Sequence, residues 1–464
     1  MKARLGISRL GILSIAGMVL GFTPANAAGV KDDLQLLLED PVRTVEDYEK
    51  TPLPAGFQVV NTPGEGLVYA DANGKTMYTW PIKDMRNGGY AGEQKGKPTC
   101  SDVKTTENAG LMSPYPGGLL LPDLDTRPSC TQAWPPVLAA ADAKPMGNWT
   151  IVTGPGGRKQ WAYNGFALYT SALDQKPGDT IGGKKGRGSH GAYREIAAPK
   201  VKTPAQFVVY PVIRGHLLGT PAGFSVYWYD KDAPNKSNCD AACLTDWSPV
   251  VAPITATAQG DWSIIENSRG VRQWAYRKKP LYTHISEERP RSYEGTDIPG
   301  WHNVYTMQPP PPPKGWTVTD MDSGQVLADR HGMTVYVYNC SDDSVDQLSC
   351  NHPSDTQVYR INMCGKGNVE KCLVNFPYVK AEKDEQGDGF VWKVLDIDPK
   401  TGHKTAPGAA GSMRVWAYRD RPIYSCARDQ KPGDYECDAW GEFDGNADGF
   451  RAIWLRDDYQ GNAG

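Results

Sequence analysis

The chain has 464 residues and a formal net charge of −3, so it lacks the strong positive field that attracts nucleic acid or an anionic membrane surface. It contains 50 Gly and 37 Pro together with 14 Trp and 23 Tyr, a composition that disfavours long helices and is typical of turn-rich β structure. No segment beyond the first residues reaches the ~18 apolar residues of a membrane-spanning helix. We therefore expect a β-rich mature chain with no transmembrane segment and no nucleic-acid partner.

The first 27 residues have the pattern of a secretory signal peptide. A basic start precedes an apolar run over 10–22, and the segment ends in an Ala-x-Ala cleavage site. We expect cleavage after Ala27 and a periplasmic or secreted protein. Residues 28–54 form a polar lead-in, in which 31–50 predict a short helix that a proline interrupts.

The rest of the chain repeats itself. The string Trp-Ala-Tyr occurs at 161–163, 274–276 and 416–418, and each copy is followed by a turn, a tyrosine and an acidic residue five places after that tyrosine. Upstream of each copy a cysteine stands four places before an aromatic residue. These pairs are Cys130 and Trp134, Cys243 and Trp247, and Cys372 and Phe376. Self-similarity of this kind is the signature of a repeat architecture.

The spacing of these strings predicts three tandem units. Their bounds are 55–200, 201–308 and 315–464, and the third unit diverges most from the others. Residues 309–314 form a Pro-rich linker with five consecutive prolines. Because such segments are stiff, extended spacers, we expect the linker to hold the third unit apart from the first two.

Three strings resemble a known family. They are the run 227–232 (Tyr-Trp-Tyr-Asp-Lys-Asp), the run 134–136 (Trp-Pro-Pro) and the run 160–163 (Gln-Trp-Ala-Tyr). Together they are similar to the secreted-repeat family of bacterial lipoproteins and exported proteins, which is marked by Tyr-x-(Phe/Trp/Tyr)-x-x-Asp. The resemblance covers most of 55–308 and, more loosely, 315–455. It implies no activity, because the function of the family is unknown.

Alternation and turn residues predict the local structure. Residues 149–171 read as three short strands, with a turn at 154–157 and a second turn at Asn164-Gly165. Asn-Gly between apolar runs is a strong hairpin signal, because both residues accept positive φ. Similar strings in every unit indicate an all-β fold of three tandem, disulfide-containing β-hairpin units after a short helical lead-in.

Ten cysteines in an exported chain favour disulfide bonds. Position within the units suggests the pairs Cys100–Cys130, Cys239–Cys243 and Cys364–Cys372 as equivalents. The remaining four cysteines belong to the third unit. Their local pairing is Cys340–Cys350 with Cys426–Cys437, and a cross-strand bridge between Cys340 and Cys426 is the alternative.

The aromatic rings of the first two units could form a ligand platform, since rings stack on flat ligands and bury a large area. The candidates are Trp161, Tyr163, Tyr169, Trp274, Tyr276 and Tyr282. Residues two apart on a strand share a face, however, so we weigh core packing above ligand binding for these rings.

The acids after the repeated tyrosines allow two interpretations. If the protein is an enzyme, Asp174, Asp429, Glu287 and the neighbouring His284 are the catalytic candidates, because a converging pair of acids in different environments can perform acid–base chemistry. Asp before a Pro-Gly turn also bonds nearby backbone N–H groups, and we favour that structural role.

One string suggests a metal site. Residues 444–449, Asp-Gly-Asn-Ala-Asp-Gly, match the opening of a calcium loop, with Asp444, Asn446 and Asp448 as oxygen ligands. The twelfth position is Leu455 instead of Glu, which excludes a complete EF-hand. We expect no other cofactor, and a surface turn is the alternative to a calcium loop.

The repeated residues are those that build strands and turns, and no recognisable catalytic string accompanies them. The sequence therefore predicts an exported, non-catalytic repeat protein with a binding or scaffold role in the cell envelope, where its partner is an unknown protein or polymer. A hydrolase that acts on an envelope or extracellular polymer through loop carboxylates is one alternative. An accessory protein of an exported redox system is another.

Overall fold

The computed structural model describes residues 46–82, 84–86, 89–103, 129–183, 194–212, 215–287, 291–292, 294–308, 311–321, 324–339, 358–441 and 449–457. These residues form short strands in several antiparallel sheets, which confirms the predicted all-β class. The α-helices in this part of the chain are short: α1 (Cys130–Ala133), α2 (Val358–Gly365) and α3 (Val369–Asn375).

The signal segment and most of the lead-in lie outside the described residues. The last part of the predicted lead-in helix, 46–50, is described and is extended, with Tyr48 paired antiparallel with Val201. The Glu46 carboxylate is buried, and both of its oxygens lie 2.9 Å from Nδ1 of His216. The helix prediction is wrong for these residues, because pairing with distant strands holds them extended.

The first region contains strands β1 (Gln58–Thr62), β2 (Gly66–Ala70), β3 (Tyr78–Thr79), β4 (Asp84–Arg86), β5 (Gly89–Ala91), β6 (Trp149–Thr153), β7 (Lys159–Tyr163), β8 (Phe166–Ala167) and β9 (Glu195–Ile196). Strands β6, β7 and β8 form one antiparallel sheet, as the sequence predicts. Asn164 and Gly165, with φ of 53° and 88°, make the turn between β7 and β8. Both therefore adopt the positive φ that a tight hairpin of this kind requires.

The second region contains β10 (Val208–Val212), β11 (Gly215–Gly219), β12 (Tyr227–Tyr229), β13 (Trp247–Pro249), β14 (Trp262–Glu266), β15 (Arg272–Tyr276), β16 (Lys279–Pro280), β17 (Tyr282–His284), β18 (Trp301–Asn303) and β19 (Tyr305–Met307). Its strands form three sheets, with the orders β10-β11-β19, β13-β17-β12-β18 and β14-β15-β16. Each sheet is antiparallel.

The third region contains β20 (Thr317–Met321), β21 (Gly324–Ala328), β22 (Tyr336–Asn339), β23 (Trp392–Ile397), β24 (Met413–Tyr418), β25 (Arg421–Tyr424), β26 (Gly449–Ala452) and β27 (Trp454–Asp457). Strands β20, β21 and β27 form one sheet, and β23-β24-β25-β22-β26 form another. Helix α3 follows Asn368, whose side chain accepts the backbone N–H of Lys371 at 2.7 Å and caps the helix.

Each region has the same pairing of strands at its centre. Two tyrosines lie directly opposite each other on neighbouring antiparallel strands, and a third strand pairs with the first tyrosine on its other side. The opposed pairs are Tyr78 and Tyr169, Tyr227 and Tyr282, and Tyr336 and Tyr424. The residues on the third strand are Ile196, Asn303 and Ala452. The exact unit boundaries remain a prediction.

Disulfide bonds join Cys100 to Cys130, Cys239 to Cys243, Cys364 to Cys372 and Cys426 to Cys437. These are local pairings that the sequence predicts. Since Cys426 is bonded to Cys437, the alternative bridge from Cys426 to Cys340 is wrong. Cys340 and Cys350 lie outside the described residues.

The third region contacts the first, so the expectation that the Pro-rich linker holds it apart is not met. Glu65 and Arg419 form an ion pair with 2.8 Å between the carboxylate and guanidinium, and both side chains are largely buried. Lys176 Nζ donates to the Gly389 carbonyl at 2.9 Å and lies 4.6 Å from the centre of the Phe390 ring. A cleft opens beside this contact.

Candidate functional site

The acid that follows the second tyrosine of each region bonds the first tyrosine. The Tyr78 hydroxyl donates to Asp174 at 2.7 Å, and the other two bonds are Tyr227 to Glu287 at 2.5 Å and Tyr336 to Asp429 at 2.7 Å. The donor and acceptor stand 60 to 96 positions apart in sequence. Each bond therefore joins the two halves of its region, which local spacing does not reveal.

Backbone N–H groups complete the bonding of these buried carboxylates. Asp174 accepts from the N–H of Ile181 at 2.9 Å, and Glu287 accepts from the N–H of Ser225 at 3.0 Å. Burial raises the pKa of Asp174 to about 7 although the tyrosine hydroxyl lowers it, and burial likewise raises the pKa of Glu287 to about 7. Burial also raises the pKa of Asp429. All three acids thus accept hydrogen bonds from groups inside their own region.

A reciprocal bond links the second tyrosine to an acid of the first half. The Tyr169 hydroxyl donates to Glu93 at 2.6 Å, and the Tyr282 hydroxyl donates to Asp232 at 2.9 Å. Asp232 stands five places after Tyr227, whereas Glu93 follows Tyr78 only after the hairpin of β4 and β5. In the third region, the Arg360 guanidinium lies 5.7 Å from the ring of Tyr424.

A three-layer stack accounts for the aromatic residue four places after each cysteine. In the second region the Trp301 ring lies 3.6 Å from Trp247 and 4.4 Å from Tyr229. The third region places Phe450 at 3.6 Å from Phe376 and 5.3 Å from Tyr338. In the first region a guanidinium replaces the middle ring, since Arg194 lies 4.2 Å from both Trp80 and Trp134. Planar groups of either kind gain dispersion and electrostatic attraction from such stacking.

A cleft of about 890 Å³ lies between the loop 172–181 of the first region and β23–β24 of the third. Its volume falls in the range of ligand-binding clefts, on the order of 300–1,000 Å³. The charged side chains that line it are Lys176, Asp179, Lys393, Lys404, Arg414 and Asp420. Lys393 and Asp420 form an ion pair at 2.5 Å, and both are mostly buried.

One residue of the cleft lining, Asp179, has a buried carboxylate oxygen with no hydrogen-bond partner among the described residues. Asp179 is buried, and its Oδ2 accepts the backbone N–H groups of Gln175 and Lys176, each at 2.9 Å. Oδ1 of Asp179 is also buried and has no hydrogen-bond partner among the described residues. A buried acceptor without a donor costs about 1–3 kcal/mol.

Residues 150–187 match the model of a family described as a secreted repeat of unknown function. This stretch is therefore similar to the repeat of that family. The match confirms the resemblance inferred from the sequence and indicates an exported protein. No curated protein and no solved structure matches the chain.

The repeated string Trp-Ala-Tyr and the tyrosines that follow it supply core side chains. Trp161, Tyr169, Trp274, Tyr276 and Tyr282 are all buried, and Tyr163 is half-buried against the Trp149 ring at 4.8 Å. Trp274 and Tyr276 pack with Trp262 and Phe207 in one hydrophobic cluster. These rings, which were the candidates for a ligand platform, therefore contribute to core packing. That is the role favoured for them from the sequence.

His284 does not bond Glu287 through its side chain. The imidazole packs against Trp247 with 4.7 Å between the ring centres, while the Glu287 carboxylate bonds Tyr227 and Ser225. Nδ1 of His284 is buried, with no hydrogen-bond partner in the part of the chain that the structure describes. The four candidates for catalysis thus lie in three regions: Asp174 in the first, His284 and Glu287 in the second, and Asp429 in the third.

The candidate calcium ligands Asp444, Asn446 and Asp448 lie outside the described residues. Among the described residues, no group of three or more His, Cys, Asp or Glu side chains could hold a metal ion. The described helices are all too short and polar to cross a membrane.

Proposed function

We propose that this chain is an exported, non-catalytic binding protein of the cell envelope, which holds its ligand in the cleft between the first and third regions. The observation that carries the proposal is the cleft itself, of about 890 Å³, with the basic side chains Lys176, Lys404 and Arg414 in its lining. Large clefts with a few polar groups are the usual sites of ligand binding.

The tyrosine–carboxylate bonds support a non-catalytic role. Asp174, Glu287 and Asp429 each accept a tyrosine hydroxyl and a backbone N–H inside their own region. A catalytic acid needs access to a substrate, whereas these three are 0 %, 5 % and 8 % exposed. Their common role is to join the halves of a region, and the surface between regions is left for binding.

A bulky residue in the cleft tests the proposal, and the chain offers a matched control. The string Asp-Gln-Lys-Pro-Gly-Asp occurs at 174–179, beside the cleft, and again at 429–434. Gln175 lines the cleft, and the equivalent Gln430 is exposed in the third region. Gln175→Trp should fill the cleft, and Gln430→Trp should add the same ring elsewhere.

Each protein is immobilised with its disulfides intact, exposed to fractionated envelope extract of the producing cell, and washed. The retained material is identified by mass spectrometry and sugar analysis. We expect the wild-type protein and Gln430→Trp to retain one component that Gln175→Trp does not. Equal retention by all three proteins, or retention of nothing, would refute the cleft as a binding site.

A further inference from the structure

We propose that the ligand of this cleft is a short acidic peptide segment, which adds to the open edge of strand β23 as an extended strand. This inference rests on the proposed function and adds the chemical class of the ligand. Two features of the cleft carry it. One is a gap in the backbone hydrogen bonding of β23, and the other is the charge of the lining.

Strand β23 lies at the end of its sheet, so β24 pairs with one side of it and the other side is an edge. Neighbouring segments cover both ends of this edge. Near the start of the strand, the N–H of Gly389 donates to the Trp392 carbonyl at 3.1 Å. Near its end, the N–H of Thr405 donates to the Asp396 carbonyl at 2.8 Å. The carbonyls of Trp392 and Asp396 therefore point away from β24.

The middle of the edge is open. Alternate residues of a strand bond to opposite sides, so Val394, between Trp392 and Asp396, also directs its N–H and its carbonyl away from β24. The residue opposite Val394 on β24 is Trp416, whose N–H donates to the Val379 carbonyl on the far side, as this alternation requires. Neither backbone group of Val394 has a hydrogen-bond partner among the described residues. Val394 is half-buried and lines the cleft.

One residue of an extended peptide matches this gap. Residues that lie opposite each other in an antiparallel sheet exchange two hydrogen bonds, from the N–H of each to the carbonyl of the other. The edge from Trp392 to Asp396 is roughly 13 Å long, so about three residues of a peptide fit between its covered ends. Addition of a strand to an exposed sheet edge is a common mode of peptide recognition, in which the main chain provides affinity. The open edge therefore favours a short extended peptide.

The charge of the lining favours acidic side chains on that peptide. Four basic and two acidic side chains line the cleft, and one of the acids, Asp420, is paired with Lys393. Lys176 and Arg414 donate to backbone carbonyls, which leave their charge uncompensated. Lys404 is exposed and forms no ion pair with a described carboxylate. These side chains attract an anionic segment although the net charge of the protein is −3.

The second region offers a matched edge outside the cleft. Strand β14 lies at the end of its sheet, and Ile264 pairs with Trp274 as Val394 pairs with Trp416. Ile264 does not line the cleft. Proline lacks the backbone N–H and is tolerated on edge strands. Val394→Pro therefore removes the open N–H of the cleft, and Ile264→Pro makes the same change elsewhere.

Titration calorimetry of the full-length protein with acetyl-Glu-Val-Glu-amide tests this inference. The comparison ligands are the same peptide methylated at every backbone nitrogen, the neutral acetyl-Gln-Val-Gln-amide, and digalacturonate, a saccharide of the same charge. We expect the acidic peptide to bind with an affinity that falls as salt rises, and the three comparison ligands to bind more weakly. Val394→Pro should weaken binding by about fivefold through loss of one backbone hydrogen bond, and Ile264→Pro should leave it unchanged. Lys404→Gln, an exposed substitution that does not threaten folding, should weaken binding several-fold.

Equal binding of the methylated peptide would overturn the pairing with β23, and equal binding of the neutral peptide would overturn the role of charge. Equal or tighter binding of digalacturonate would show that charge alone selects the ligand. Unchanged affinity in both Val394→Pro and Lys404→Gln would place the peptide elsewhere. If the acidic peptide fails to bind while Gln175→Trp still abolishes retention of an envelope component, the peptide is wrong and the binding cleft stands. If both results are negative, the proposed function fails as well.

Discussion

The hydroxyl of Tyr78 donates a 2.7 Å hydrogen bond to the carboxylate of Asp174, which stands 96 positions later in the chain. Tyr78 lies opposite Tyr169 in the sheet, and Asp174 follows Tyr169 by five places. Asp174 therefore bonds the tyrosine on the opposite strand, Tyr78, and not Tyr169, which is closer to it in sequence. Both partners are fully buried, so the bond joins the two halves of the region in a dry environment.

Replacement of the donor should destabilise its region. Tyr78→Phe or Tyr227→Phe leaves a buried carboxylate one donor short, and we expect the free energy of unfolding to fall by about 1–3 kcal/mol. Urea unfolding of each variant measures the change. Tyr435→Phe is the control, because that residue is 40 % exposed, so water can replace a bond that its hydroxyl loses, and the ring contact with Trp454 is retained by Phe. A loss as small as the control's would show that the hydroxyl contributes nothing.

The buried acids also predict a dependence of stability on pH. Burial raises the pKa of Asp174 and Glu287 to about 7, and in an unfolded chain the pKa of such groups is about 4. Between these values the folded chain holds protons that the unfolded chain has released. The contribution of these bound protons to the free energy of unfolding is therefore complete below about pH 4 and is lost as pH rises through about 7.

The double variant Asp174→Asn/Glu287→Gln is neutral at both positions at every pH and isolates this contribution. Between pH 5 and pH 8, the wild-type free energy of unfolding should fall relative to that of the variant by on the order of 2 kcal/mol for each acid. Urea unfolding at several pH values gives the two curves. Parallel curves would mean that neither carboxyl has a raised pKa in the folded chain.

The middle layer of the stack predicts which substitutions a region tolerates. Trp301→Ala should lower stability by about 3–5 kcal/mol, because it opens a cavity between Trp247 and Tyr229. Trp301→Phe should cost less, since Phe450 occupies the equivalent position and stacks at 3.6 Å on Phe376. Thermal unfolding followed by circular dichroism gives both values. The opposite order of the two variants would contradict the equivalence of the stacks.

The ion pair between Glu65 and Arg419 predicts a coupling between the first and third regions. Glu65→Gln leaves a largely buried guanidinium without its carboxylate, which typically costs about 3–5 kcal/mol. Replacing both partners removes the stranded charge, so Glu65→Gln/Arg419→Gln should cost less than the sum of the single variants. A double-mutant cycle by denaturant unfolding measures the coupling. Strict additivity would indicate that the two side chains do not interact in solution.

Local features of the sequence predicted local features of the structure. The turn at Asn164-Gly165 and the bridge between Cys239 and Cys243 both depend on neighbours within a few positions. The acid that bonds Tyr169 was harder to find. In the second region that acid is Asp232, five places after Tyr227, but in the first region it is Glu93, which follows Tyr78 only after the hairpin of β4 and β5. A fixed step after a tyrosine does not identify a partner across an insertion.

The positions of strands, turns and local disulfide bonds depend on backbone preferences, alternation and spacing within short stretches. They could therefore be predicted from the sequence. The sequence did not predict the partner of each buried tyrosine hydroxyl or the existence of the cleft. Asp179 and Asp434 end identical strings, yet Asp179 is 4 % exposed and Asp434 is half-buried. Burial depends on which surfaces pack together in the folded protein. The same acid therefore has a different environment in two copies of one string.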